Sequence, residues 1–233
     1  MKILYLIPAR GGSKGLPGKN IKLLSKKPLL YYSIDFARHF TGDENIFVST
    51  DDDTIINTVN NYNLTIPFKR PDALATDTAG SWEVICHAIE SFEKNGLVYD
   101  CVVLLQPTTP FRKKEDLIEA LKIFSNDLDM VVSVKESDAN PYYNLFEENS
   151  QCYLEKCNKN SNAIRRQDVP PVYQYNGSLY VINVKSIKKY SSFTEFKLIK
   201  KIKMDSIYSI DIDSLMDFEF CEFLLSKNYV KEF

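Results

Sequence analysis

The chain has 233 residues, 44% of them hydrophobic and 26% charged, with a formal net charge of −2. That length suits one large domain or one domain with an appendage, and the apolar fraction is ample for a core. The near-neutral balance argues against a protein that coats nucleic acid, and no apolar run approaches the roughly 18 to 20 residues that span a bilayer. The chain opens directly on a strand pattern with no cleavage site behind it, so no secretory leader is expected. Five cysteines, Cys86, Cys101, Cys152, Cys157 and Cys221, form no Cys-x-x-Cys, and most sit in apolar patterns. Buried free thiols and a cytoplasmic location are the expectation. Two histidines, His39 and His87, argue against a zinc site, which leaves a hard cation with oxygen ligands open.

The first element is an apolar run, Ile3 to Ile7, with the length and branching of a buried strand, ended by Pro8. The next ten residues hold Gly11, Gly12, Gly15 and Gly18, half of all the glycines, with Arg10, Lys14 and Lys19 interleaved or just beyond. Acidic residues begin only at Asp35. Glycines let backbone N–H groups approach a ligand closely, and three cations concentrate positive potential. A loop after the first strand of an α/β sheet also lies at the carboxyl edge, where such sheets bind ligands. The ligand this suggests is a polyphosphate, against the bland alternative of a solvated turn. The register is not that of a P-loop, since Lys19 is followed by Asn20 and not by a hydroxyl, and there is no Gly-x-Gly-x-x-Gly.

Pro28 opens a helix with Leu30, Ile34 and Ala37 on one face, ending near His39 and Gly42; His39 there suits a solvated or dipole-stabilised role. Asn45 to Thr50 reads as a second strand, with Ser49 or Thr50 capping a helix whose first turn holds Asp51, Asp52 and Asp53. A short strand Ile66–Phe68 and an irregular stretch from Arg70 to Ser81 follow. The next helix buries Trp82, Ile85, Ile89 and Phe92 and turns His87 outward. Cys101–Leu105 is wholly apolar and so a central parallel strand, followed by the loop Gln106–Arg112. Glu115 and Asp116 open a helix with Leu117, Leu121 and Phe124 inside, and Met130–Val134 is a further strand.

This alternation implies a doubly wound, mostly parallel α/β sheet. It breaks after Lys135, and the following stretch to about residue 176 is long for a loop inside a domain; such loops are functional or interfacial. Residues 1–135 and 178–233 are therefore read as one α/β domain and 136–177 as an inserted segment. Strands are expected again at Ser178–Ile182 and Ile207–Asp213. Ser214 and Asp217 can form a capping box for a last helix that buries Phe218, Cys221, Leu224 and Leu225. On a strand, Ile210-Asp-Ile-Asp213 puts Asp211 and Asp213 on one face about 7 Å apart. Such a pair can hold Mg²⁺ with water and phosphate oxygens completing the shell; an acidic strand end before a helix is the alternative.

Pro8-Ala-Arg-Gly-Gly-Ser-Lys-Gly-Leu-Pro-Gly-Lys-Asn20 closely resembles the N-terminal signature of the acylneuraminate cytidylyltransferases, the CMP-sialic acid synthetases and their legionaminate and pseudaminate relatives. Gln106-Pro-Thr-Thr-Pro-Phe-Arg112 is similar to that family's Gln-Pro-Thr-Ser-Pro-Leu-Arg, and Arg165-Arg-Gln-Asp168 with Asn176-Gly177 resembles its Arg-Arg-Gln-Asp…Asn-Gly. Asp211-Ile-Asp213 stands where the family carries a metal-binding Asp-x-Asp, with Ser214-Leu215 replacing the usual Thr-Pro. The resemblance runs in blocks from Ile3 to Phe218.

What the resemblance implies is a Rossmann-like nucleotidyltransferase that joins CTP to a sialic-acid-like, nine-carbon 2-keto sugar acid, giving the CMP-sugar and pyrophosphate with Mg²⁺ or Mn²⁺. It implies that Ala9, Arg10, Gly11, Gly12, Ser13, Lys19, Asn20, Arg70 and Ser81 bind nucleotide, with Gly80 softening the local fit. Arg10, Lys14, Lys19 and Asp211 would act in catalysis, and Asp211 and Asp213 would hold the metal. Gln106, Thr108, Arg165, Arg166 and Asn176 would bind the sugar acid; adjacent arginines suit its carboxylate, because guanidinium matches that group in two-pronged geometry. It further implies that residues 1–135 and 178–233 are a nucleotide-binding catalytic domain and that the inserted segment is the dimerisation or substrate-capping arm of a homodimer, reaching into the neighbouring subunit's site. Neither histidine is placed to act as a base. The alternatives are a CMP-Kdo synthetase, whose Gln-Gly-Asp loop typically carries an Asp where this chain has Thr108, and an idle homologue that binds nucleotide-sugar without turnover.

Overall fold

A computed structural model of the chain describes residues 1–76 and 80–230. The chain lays down β1 (Ile3–Pro8), a small antiparallel ribbon of β2 (Leu23–Leu24) and β3 (Lys27–Pro28), α1 (Leu29–Arg38), β4 (Ile46–Ser49) and α2 (Asp53–Asn61). α3 (Ser81–Lys94), β5 (Cys101–Leu105), α4 (Lys114–Ile123) and β6 (Met130–Glu136) follow. An outlying hairpin of β7 (Phe146–Glu148) and β8 (Leu154–Lys156) leads to β9 (Tyr173–Asn183), α5 (Val184–Lys189), β10 (Ile199–Lys203) and α6 (Leu215–Ser226).

Six of these strands form one sheet in the order β10-β6-β9-β5-β1-β4. β1 is parallel to both β4 and β5, and β10 to β6, while β9 runs antiparallel between β5 and β6. Every residue of β5 is buried, as a continuous apolar run requires in a strand covered on both faces. β1 shows the two faces directly. Its Tyr5 and Ile7 pack with Leu30 and Ile34 of α1, Val59 of α2 and Leu117 of α4. Leu4 and Leu6 point the other way, into Ile85 and Ile89 of α3 and Val184 of α5. A doubly wound α/β architecture results.

A third apolar cluster lies beyond the sheet's carboxyl edge and positions the site. Phe218, Cys221 and Leu224 of α6 pack there against Leu29 and Tyr32 of α1, Phe111, and two loop residues, Leu16 and Ile212. α6 begins with the expected capping box: Ser214 Oγ accepts from the Asp217 N–H, and the Asp217 carboxylate accepts from the Ser214 N–H at 2.8 Å.

Several local expectations are corrected. The ladder of β1 stops at Pro8 as expected, but Pro8 itself is its last residue, opposite Ser49 of β4. The cap of α2 is Asp52, whose carboxylate accepts from Thr54 and Ile55 N–H, and not Ser49 or Thr50; a carboxylate satisfies orphan donors and the helix dipole together. Ile66–Phe68 forms bends and no strand, and the irregular stretch before α3 includes residues 77–79, which lie outside those described. His87 is half-buried against the Phe68 ring, not turned to solvent. All five cysteines are free; Cys101 and Cys221 are buried, with their thiols pushed up to about 12 by burial, whereas Cys152 is exposed in the turn between β7 and β8.

β9 starts five residues earlier than its apolar run suggests, at Tyr173. Its pairing with β6 slips between Val132 and Val134, leaving Ser133 without a partner position on β9. Asn176 closes the gap. Its carboxamide oxygen accepts from Ser133 Oγ at 2.6 Å and from Ser178 N–H at 3.1 Å, while its nitrogen donates to Ser209 Oγ at 2.9 Å. Removing one partner from such a buried network leaves the others unsatisfied, at about 1–3 kcal/mol. Asn176→Ala is therefore expected to lower the unfolding free energy by about 1–3 kcal/mol, read as a lower urea midpoint at unchanged m-value, with the KM for nucleotide unchanged in the folded protein.

Candidate active site

The loop after β1 is shaped by contacts with the two elements that flank it. A Cβ on Gly11 would come within 2.3 Å of the Asp52 carboxylate, and the Gly11 N–H donates to Asp51 at 3.2 Å. A Cβ on Gly15 would lie 2.2 Å from the Asp213 carbonyl oxygen, closer than any side chain tolerates. These two glycines thus admit neighbouring protein, in addition to leaving backbone accessible. Asn20 is buried and donates from Nδ2 to the Arg10 carbonyl at 2.9 Å, which fixes the loop's first turn. Arg10 reaches across to the Thr76 carbonyl at 2.9 Å.

Lys19 crosses to the far end of the chain. Its Nζ donates to the Ile212 carbonyl at 2.7 Å and to Asp213 Oδ1 at 3.2 Å. The segment around Ile212 is not a ladder strand, contrary to expectation: a 3₁₀ turn occupies Ser206–Tyr208 and the residues after it are irregular. The alternation survives for another reason. Ile212 is fully buried in the α6 cluster and its N–H donates to the Thr108 carbonyl at 2.8 Å, so Asp211 and Asp213 are both left facing the open side. Burial by the cleft walls pushes the Asp211 carboxyl above its ordinary range; a Thr108 hydrogen bond counters this, and the nearby Asp213 adds to it. Asp211 keeps an accessible edge toward the cleft, so the effect is one of crowding walls and not of enclosure.

The Gln106–Arg112 loop is set by its last residue. Arg112 is fully buried and donates to the carbonyls of Gln106 and Ser178, at 2.6 and 3.0 Å, and to Ser33 Oγ at 3.1 Å. Burial alone pushes its guanidinium down to about 9. Gly177 takes a positive φ of 72°, and a Cβ there would press on Gln106 at 3.1 Å. Arg70 is also buried, donating to Ser49 Oγ at 3.0 Å and to the Ser49 carbonyl. Desolvation, opposed by Asp51 and reinforced by Arg10, lowers it to about 10.

These pieces enclose one open cleft of about 600 Å³ at the carboxyl edge of the sheet. Arg10, Ser13, Lys14, Lys19, Asn20, Arg70, Ser81, Gln106, Thr108, Asp211 and Asp213 all line it. Other expected site residues lie elsewhere. Ala9 is core and its N–H donates to the Ser49 carbonyl, and neither the half-buried Gly11 nor the exposed Gly12 is among the residues lining the cleft. Asn176 is the buried hub described above. Arg165 pairs with Asp168 and Arg166 with Asp138, both on the inserted segment and away from the cleft of the same chain. The sequence reading missed a side chamber of about 280 Å³ that shares Ser81 and Gln106 with the cleft and is walled by Tyr175, Tyr180 and Phe193. The two tyrosines bracket the Asn176-Gly177 motif, which was the available signal.

No group of three or more His, Cys, Asp or Glu residues gathers as a metal cluster among the described residues. The donor set offered to a cation is the carboxylate pair Asp211 and Asp213, which are hard oxygen ligands and leave most of a shell to water or phosphate.

A basic loop, buried arginines and a facing carboxylate pair at the carboxyl edge of a doubly wound sheet define a nucleotide-dependent transferase site. The chain belongs to the cytidylyltransferase family, whose model matches residues 4–231. It is 36% identical to the CMP-N,N'-diacetyllegionaminic acid synthase of Legionella pneumophila, over 98% of both chains. It is 32% identical to the pseudaminic acid cytidylyltransferase of Campylobacter jejuni over the whole of both. The N-acylneuraminate cytidylyltransferase of Streptococcus agalactiae is 33% identical over 94% of this chain, which spans 52% of that longer protein. Among solved structures, a CMP:2-keto-3-deoxy-manno-octonic acid synthetase complexed with CTP shares the fold, with a TM-score of 0.70 at 17% identity over 98% of this chain and 100% of that one.

Gly15→Ala would force the loop away from Asp213. A displacement of about 1 Å in a catalytic constellation costs on the order of 100-fold in rate. The expected result is that loss in kcat/KM together with a lowered melting temperature, since the atom met is backbone of the same packed junction, both measured on the same preparation.

Proposed function

We propose that this enzyme activates a nine-carbon 2-keto sugar acid with CTP, releasing pyrophosphate and leaving CMP on the sugar. The observation that carries the reading is the contact between Lys19 and the Ile212–Asp213 backbone and carboxylate, which puts the cationic loop and the acidic pair on one cleft. The acceptors named for the relatives, N-acylneuraminic, legionaminic and pseudaminic acids, support this class of sugar acid.

The anomeric hydroxyl attacks the α-phosphorus in line and pyrophosphate departs, a reaction governed by positioning and charge stabilisation. Arg10, Lys14 and Lys19 neutralise the triphosphate. Lys19 is held ready by the Ile212 carbonyl, so little reorganisation accompanies binding. Asn20 fixes the loop through the Arg10 carbonyl, and Arg70 orients the nucleoside from the opposite wall. Gln106 and Thr108, presented by the loop that Arg112 clamps, face the acceptor. Asp211 and Asp213 would hold Mg²⁺ or Mn²⁺, which supplies charge shielding of the phosphates when bound. We assign no side chain as the general base.

The same reading takes the enzyme to be a cytoplasmic homodimer joined through the inserted segment. Ile164, Leu154 and Tyr153 are largely exposed there in the single chain, which supports a covered face in the assembly; Arg165 and Arg166 would then reach the neighbouring subunit's acceptor. Among the described residues no helix is long and apolar enough to cross a membrane.

Pyrophosphate release from CTP with sialic, legionaminic, pseudaminic and Kdo acids, run alongside sedimentation equilibrium, tests the proposal. Turnover is expected with a nine-carbon acid and not with Kdo, and Lys19→Ala is expected to cost roughly 10² to 10³ in kcat. Near-full turnover by Lys19→Ala, or nucleotide binding with no pyrophosphate from any acid, would overturn it.

A further inference from the structure

α6 is apolar on two sides. One side carries Phe218, Cys221, Leu224 and Leu225, all buried in the cluster that holds Leu16 and Ile212. The other carries Met216, Phe220 and Phe223, whose i, i+4, i+7 spacing lines them up as a second stripe. Met216 is 78% exposed, Phe220 48% and Phe223 46%. The Phe220 and Phe223 rings stack at 6.4 Å, and Tyr229, itself 59% exposed, extends the stripe past the helix end by meeting Phe223 at 6.2 Å. A helix that is apolar all round is ordinarily a buried one, yet α6 leaves this side on the surface of the single chain.

Size and charge decide what covers it. An aromatic side chain has about 150–250 Å² to bury, so the four residues together expose on the order of 500 Å² of continuous apolar surface. That is toward the top of the range for the largest patch on a monomer, about 300–600 Å². Two copies face to face would cover about 1,000 Å² before any polar rim is counted, which is the area a specific interface needs. A lipid surface is the poorer match: α6 contains Asp217, Glu219 and Glu222 and no lysine or arginine, whereas helices that lie on anionic membranes are basic on their polar face.

The stripe is also complementary to itself. Glu219 is exposed along its edge in the first half of α6, and Lys227 stands at the other end, over the Phe223 ring at 6.0 Å. A two-fold contact requires one patch to match its own copy. An antiparallel pair of α6 helices centred between Phe220 and Phe223 sets Phe220 of each copy against Phe223 of the other. It brings Lys227 of each beside Met216 of the other and, one turn on, Glu219. The helix dipoles then oppose one another favourably.

We propose that the Met216–Phe220–Phe223 face of α6 is a self-association surface on which two copies of this chain pack antiparallel about a two-fold axis. It shares no residue with the inserted segment, so it is a separate contact from the dimer proposed above. With both contacts made, the assembly holds four chains.

Sedimentation equilibrium of the full-length enzyme tests this, with the Phe220→Glu/Phe223→Glu double variant as the probe. The variant is expected to have half the parent's mass, from four chains to two, with the α6 association weakened on the order of 100-fold or more. Should the inserted segment make no contact, the change is from two chains to one, so failure of that dimer reads separately. Both substitutions are at exposed positions, and pyrophosphate release should stay at the parent level. Glu219→Lys and Lys227→Glu are each expected to weaken association by about threefold, and the two together to restore it; only contact between copies in this register gives that rescue. An unchanged mass for the Phe220→Glu/Phe223→Glu variant, or two reversals that add their losses without rescue, would overturn the proposal. Co-sedimentation of the parent but not the variant with phosphatidylglycerol vesicles, at equal masses in solution, would overturn it in favour of a membrane surface.

Discussion

Lys19 holds the Ile212 carbonyl from one side while Ile212 sinks its side chain into the cluster beneath α6, and the site depends on that double grip. Leu16, three residues before Lys19, enters the same cluster. The basic loop and the acidic pair are therefore two rims of one apolar plug. Fully burying an isoleucine or leucine contributes roughly 1.5–3 kcal/mol, more than an ion pair with an exposed carboxylate such as that of Asp213. The packing brings the ends together, and the Lys19–Asp213 pair at 3.2 Å adds to it. Gly15 is the geometric condition for this arrangement, since its missing Cβ lets the Asp213 carbonyl approach.

Around that junction the protein accepts several groups in unfavourable ionisation environments. Arg70 and Arg112 are buried with carbonyls and hydroxyls as acceptors, and both are pushed down from the usual guanidinium range. Guanidinium suits such positions because its charge is spread over a planar fork with five donors. Arg112 uses that fork to tie the end of β5 to β9 and to α1 at once, so the loop bearing Gln106 and Thr108 is held by main-chain atoms. Asp211 is pushed in the opposite direction, up, by walls that crowd it. A cleft that already contains buried cations and a crowded carboxylate favours an anionic ligand on one rim and a cation on the other.

Much of this was legible from residue order, because it depended on local periodicity. β1, β5 and β6 announce themselves as apolar runs, and the faces of α1, α3 and α6 follow from helical spacing. The Gly/Lys loop carried its own signature. What escaped depended on partners far along the chain. Asn176, next to a glycine, reads as a turn or a ligand contact, yet its hydrogen bonds run to Ser133 and Ser209. β10 carries Lys200, Lys201 and Lys203, so it shows no apolar run; as the edge of the sheet it needs none, and charge there discourages unwanted pairing. The alternation around Ile212 looked like a strand because one side faces a core and the other a cleft, a period of two that arose without a ladder. Arg165 and Arg166 could be placed only by resemblance, and within one chain they are occupied by Asp168 and Asp138.

The bond from Lys19 to Ile212 spans 193 positions of sequence. During synthesis the basic loop emerges before its opposite rim and waits while the residues between them are translated. Sheet strands and their covering helices can assemble progressively in that interval, but the acidic rim cannot be recruited early. The cleft is thus completed only when the second rim joins, and a ribosome-bound intermediate that lacks the Ile212 segment would hold the sheet with one rim alone.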